Sequence, residues 1–205
     1  MKKEKDYMQD IAEIRSMMER SSKFLSLAGW AGILAGIYAL VAVYIAYEYL
    51  ALTPEALLSD PESSFSGLWE LLILGIILLA LAVGTAIFLS SRKASEKGEK
   101  LWNPTSRRLL EQMAVPLITG GILILMTISL GYIGLLLPFS LLFYGLALFN
   151  AGKYTYSEVK FLGLIEIVLG LLSFRFPQWG LYFWATGFGA VHIIYGIYMH
   201  YRYEK

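Results

Sequence analysis

Cysteine is absent from this chain. That excludes disulfides, thiolate metal sites and cysteine nucleophiles at once. Histidine occurs only twice, as His192 and His200, both in one C-terminal apolar stretch. A single chain of this kind cannot place two histidines on opposite faces of a haem. A metal site built on Glu166 and His192 lacks a third ligand. No serine-hydrolase or metalloprotease spacing occurs. The sequence therefore assigns no catalytic residue, no metal and no cofactor, and a non-enzymatic protein is expected. Charge is scarce too. Asp, Glu, Lys and Arg make up 16% of the chain, against roughly 25% in soluble domains. The formal net charge is +1, too small a basic surplus to imply a nucleic-acid partner.

What fills the space is apolar. Hydrophobic residues make up 57% of the chain, where soluble domains reach about 45–50%. The mean hydropathy of +0.59 says the same. The charges cluster between long apolar runs, which is the pattern of an all-α polytopic membrane protein whose partner is the lipid bilayer. The first apolar run is too long for the core of a cleavable signal, so it reads as a retained span.

Residues 1–23 form one unit and 24–205 the other. The first is expected to be a cytosolic amphipathic helix. Tyr7, Ile11, Ile14 and Met18 recur at helical spacing as one narrow apolar seam. That seam suits either the membrane surface or a docking partner. The second unit is expected to be a bundle of six transmembrane helices, at about 24–50, 68–89, 113–130, 135–150, 158–174 and 179–201. Gly131–Gly134 is read as a tight turn. Thr155 and Glu158 have the spacing of a capping box that would open the fifth span. Trp102 is read as an interfacial anchor.

Orientation follows from the bases. They fall in the N-terminal segment, the loop from Ser90 to Thr105 with Arg107 and Arg108, the Lys153/Lys160 connection, and the tail with Arg202 and Lys205. The other connections hold Arg175 alone, and the acids Glu48, Glu55, Asp60, Glu62 and Glu70 read as a solvated rim. The positive-inside rule then places both termini in the cytoplasm. The basic loop after span two serves as a topology signal or as a headgroup or partner site.

Two ionisable residues lie deep in the last hairpin. Glu166 has Gly163 and Gly170 at minus three and plus four, and His192 has Gly189 and Gly196 at the same offsets. Residues three and four apart share a helix face, so each polar side chain is expected on a smooth face suited to close helix packing. Gly32-x-x-x-Gly36 in span one offers a further such face, for internal packing or for a homo-oligomer or partner subunit. A mid-span carboxylate costs about 2.5–3.5 kcal/mol on insertion scales. An interhelical hydrogen bond returns about 0.6–1.7 kcal/mol. Pairing alone does not cover that cost, so Glu166 is divided between a structural clamp and a functional group. An antiparallel hairpin turning near residues 176–179 brings His192 within about 9 Å axially of Glu166, which makes it the expected partner. The bland alternative for His192 is a satisfied packing histidine.

The stretch from Leu162-Gly163 through Leu169-Gly170-Leu171-Leu172, then Pro177, Gly187, Gly189 and Gly196, resembles the glycine–proline hairpin of HdeD-like membrane proteins. The resemblance implies a six-span bacterial inner-membrane protein associated with acid stress. The long acidic first loop and the N-terminal helix depart from that pattern. The chain as a whole is similar to uncharacterised six-span proteins of Bacteroidota. Neither resemblance supplies a role for Glu166 or His192. Two functions are expected on these grounds: a stress-related or accessory membrane subunit, and a small transporter or proton-linked permease using the Glu/His pair.

Overall fold

The computed structural model describes residues 29–53, 58, 67–96, 98 and 100–204. The expected amphipathic helix with its Tyr7/Ile11/Ile14/Met18 seam lies outside them. Among the described residues every regular element is helical. The elements are α1 (Gly29–Glu48), α2 (Leu68–Glu96), α3 (Pro104–Ser129), α4 (Leu136–Ala151), α5 (Ser157–Arg175) and α6 (Pro177–Tyr203). Five helical stretches are long and apolar enough to cross a membrane, α4 only together with the 3₁₀ turn before it, as Ile133–Ala151. The exception is α5. It has 19 residues, but Glu158, Lys160, Glu166 and Arg175 interrupt its apolar run.

Several boundaries differ from the expected ones. Helix α2 continues through Ser90–Glu96. Those residues are mostly polar but contain no helix breaker, so their polarity does not end the helix. Helix α3 begins at Pro104, where Asn103 makes a capping box with Ser106: its Oδ1 accepts from the amides of Thr105 and Ser106. Pro104 stands in the first turn, where its missing N–H costs nothing. The expected Thr155/Glu158 box does not open α5. The N-cap is Tyr156, without a side-chain cap bond, and the Glu158 carboxylate accepts instead from the Tyr203 hydroxyl at 2.8 Å. The α3–α4 turn does use Gly131, at φ +85°, before a 3₁₀ turn over Ile133–Leu135.

Helix pairs set by glycine build the bundle. In α4 and α5, a Cβ on Gly145 would stand 2.7 Å from Gly163 O, and one on Gly163 2.6 Å from Gly145 O. In α1 and α6, a Cβ on Gly29 would stand 2.7 Å from Gly196 O, and one on Gly196 2.6 Å from Gly29 O. Both pairs run antiparallel, since Gly36 meets Gly189 and Gly170 meets Leu142. Backbones approach this closely only where side chains are missing. Helix α2 lies on the outer side of α1 and α3 on the outer side of α4, and the two sets join where α5 meets α6. At one end the last turn of α6 gathers α1 and α2. Glu204 accepts from the Gly29 amide at 2.8 Å, Lys93 Nζ at 2.9 Å and His200 Nδ1 at 2.6 Å.

Candidate functional site

The placement of Glu166 starts with its glycines. Gly163 and Gly170 seat α4, not α6: Cβ atoms there would meet Phe149 N at 2.6 Å and Leu142 N at 2.9 Å. Glu166, Leu162 and Ser173 occupy the adjoining edge of α5 and are buried. That edge faces α6. Gly189 and Gly196 likewise serve another helix. Gly189 admits the Leu40 side chain of α1, while Gly32 and Gly36 of α1 meet Gly196 and Gly189. The glycine faces expected to hold the pair therefore hold α4 and α1, and Gly32-x-x-x-Gly36 is internal packing. The glycines act by fixing which neighbour takes each side of α5 and α6.

Glu166 and His192 are nonetheless brought together. His192 Nδ1 stands 3.4 Å from Glu166 Oε1. Helix α6 reaches this position through a π-helical segment, Ala185–Val191, and His192 is the first residue after it. Gly187, inside that segment, lies against Glu166 Oε2. In an α-helix, residues five apart point apart; a π turn closes at i→i+5 and sets them near each other. Accordingly His192 Nδ1 lies 2.8 Å from the carbonyl of Gly187. A carbonyl only accepts, so Nδ1–H is the donor. In the neutral ring this leaves Nε2 to accept from the Tyr144 hydroxyl of α4, 3.1 Å away. Phe188 stacks on the His192 ring at a centroid distance of 5.9 Å and tilts against Tyr144 at 5.0 Å. One helix turn on, Trp184 Nε1 donates to Ser140 Oγ at 3.0 Å.

The site is enclosed. Glu166 is 0% exposed, His192 is buried, and Leu141 closes the same space with no exposed surface. Among the described residues neither Glu166 oxygen has a hydrogen-bond partner, and the same holds for Ser173 Oγ. The 3.4 Å approach of His192 Nδ1 lacks hydrogen-bond geometry. A carboxylate enclosed without donors is costly unless a proton or a counter-charge neutralises it. An acid beside an imidazole, with a phenol on the far ring nitrogen, can hold a proton on either Glu166 or His192. Among the described residues no three His, Cys, Asp or Glu side chains converge on a metal position.

Tyr144 was not singled out in the sequence, and Gly187 entered only as a residue of the glycine–proline hairpin, with no tie to Glu166. Tyr144 is one of 14 tyrosines, with no spacing to set it apart. Gly187 belongs to the Thr186-Gly187-Phe188-Gly189 run, whose two glycines weaken an α-helix and were the available sign of the π segment. Outside the spans, burial pushes the Glu204 carboxyl up, but hydrogen bonds from His200, Lys93 and the Gly29 amide outweigh it and hold the group below its ordinary value.

No protein-family model, curated protein or solved structure matches this chain.

Proposed function

We propose that this is a six-span bacterial cytoplasmic-membrane protein, with both termini in the cytoplasm, that serves as a non-enzymatic accessory or stress-related subunit. Support for α5 as the sixth span is its packing. It lies beside α4 from Gly152/Lys160 at one end to Pro138/Gly170 at the other, so it crosses whatever α4 crosses. Its 19 residues cover about 28 Å, close to the thickness of a bilayer core. The antiparallel packing also gathers Lys93, Pro104, Lys160 and Arg202 at one end and leaves Arg175 at the other, as the positive-inside rule asks.

The observation that carries the accessory role is the enclosure of Glu166. A group that takes up a substrate needs an open path at some stage, and here the carboxyl is closed in by Gly187, Leu141 and His192. In this role the pair fixes the packing of α5 on α6. The second reading, a proton-linked permease, is favoured by the two unpartnered Glu166 oxygens beside a π-helical break in α6. Interrupted helices at the bilayer midplane are where transporters hold protons and ions.

Proteoliposomes polarised with potassium and valinomycin, loaded with a pH-sensitive dye, separate the two. The accessory role expects wild type and Glu166→Gln to leak protons equally. A flux present in wild type and lost in Glu166→Gln assigns the chain to the permeases.

A further inference from the structure

We propose that the groove at the start of α3 binds the phosphate headgroup of an anionic membrane phospholipid. This rests on the membrane placement of the bundle and is separate from the Glu166–His192 site. The groove, of about 450 Å³, is lined by Trp102, Asn103, Pro104, Arg107, Arg108 and Glu111. Arg108 is exposed and has no partner among the described residues. Arg107 gives its Nε to Glu111 at 2.9 Å, which neutralises the one acid in the groove and leaves the terminal guanidinium nitrogens to an incoming anion. Guanidinium forks match phosphate oxygens in geometry and charge.

The groove is fixed in shape before anything binds. Asn103 ties its own turn through the amides of Thr105 and Ser106, and Leu101 packs into the buried core below. Those capped amides are spent, so the anion is held by the guanidinium groups and not by the helix terminus. Trp102, on the groove wall, is 68% exposed, and tryptophan is enriched where a protein meets lipid headgroups.

The face of α3 that carries Arg107 settles the source of the phosphate. At helical spacing it continues as Ile118, Ile122 and Leu125, all exposed. A headgroup at Arg107 and Arg108 would lay its acyl chains along that face. Free phosphate would use none of it. The bases at this end of the bundle place the groove in the cytoplasmic leaflet, whose lipids are anionic.

The test is lipid retention by native mass spectrometry, from nanodiscs of mixed phosphatidylglycerol and phosphatidylcholine. Wild type should retain phosphatidylglycerol selectively. Arg107→Gln/Arg108→Gln should lose about thirtyfold of that retention, given about 1 kcal/mol for each of two bases near an anionic surface. Arg92→Gln/Lys153→Gln removes the same charge from exposed bases outside the groove and should keep it. Equal loss in both double variants would assign the effect to bulk charge and overturn the site. Displacement of the lipid by excess inorganic phosphate would overturn the lipid assignment. Should Arg107→Gln/Arg108→Gln fail to fold by circular dichroism, Arg108→Gln alone carries the test, because Arg108 has no partner to lose among the described residues; unchanged retention in it would then count against the site. Wild type that does not enter nanodiscs would overturn the membrane placement itself, and this proposal with it.

Discussion

Gly187 lies directly against the Glu166 carboxylate. A Cβ on Gly187 would stand 2.5 Å from Oε2 and 2.8 Å from Leu141 Cδ2. Glu166 is enclosed and Leu141 fully buried, so neither can withdraw cheaply. Gly187→Ala should therefore destabilise the protein by about 1–3 kcal/mol, the usual cost of overpacking. Gly75 and Gly84 in α2 are the internal controls, since among the described residues nothing lies within 4 Å of a Cβ there. Alanine at either should be neutral or stabilise by up to about 1 kcal/mol through helix propensity. Thermal unfolding in detergent measures all three; a Gly187→Ala midpoint equal to wild type would mean the carboxyl is not held as described.

Glu166 and His192 should behave as one unit. Removing either leaves the other buried without its counterpart, which costs more than removing both. In a double-mutant cycle, Glu166→Gln and His192→Leu should show an interaction of about 0.5–3 kcal/mol. Tyr144→Phe removes the hydroxyl bonded to Nε2 and should change the His192 term while leaving the protein folded. Additive single mutants would show that the 3.4 Å contact carries no coupling.

The sequence made the ionisable pair legible because a charge inside an apolar run stands out whatever surrounds it. It did not reveal how the pair is assembled. Gly163 and Gly189 share offsets from Glu166 and His192, but spacing on one helix does not say which neighbour each face meets. Gly163 met Gly145 and Gly189 met Leu40. The π segment was hidden because an extra residue per turn leaves the apolar composition unchanged. The capping box at Asn103 was readable in Asn103-Pro104-Thr105-Ser106, yet the apolar run begins nine residues later. Long-range partners such as Lys93 and Glu204, 111 positions apart, leave no local pattern at all.

The membrane orientation is tested by reporter fusions. Fusions after Asp60 and after Gly134 should report from outside, and one at Gly98 from the cytoplasm. The expectation follows from the end of the bundle that holds Lys93, Lys160 and Arg202. An outside signal at Gly98 would reverse or remove a span and take the six-span proposal with it.

Glu204 should make stability fall in acid. Its carboxylate joins three elements: the Gly29 amide on α1, Lys93 on α2 and His200 on its own helix. Those bonds hold its titration below the ordinary value of 4.5. A carboxyl lowered in the folded state binds protons less readily there than in the unfolded chain. Its stabilisation is thus complete above pH about 4.5 and is lost as the pH falls through the lower, folded value. Glu204→Gln keeps the shape but not the charge. It should lower the unfolding midpoint at pH 7, and it should flatten the decline of that midpoint below pH about 4.5. Lys93→Met should lower the midpoint at pH 7 as well, by removing one of the donors. Midpoints followed from pH 7 to pH 3 in detergent read both effects. A Glu204→Gln profile parallel to wild type through the acid range would show that the tie between α1, α2 and α6 does not depend on this carboxylate.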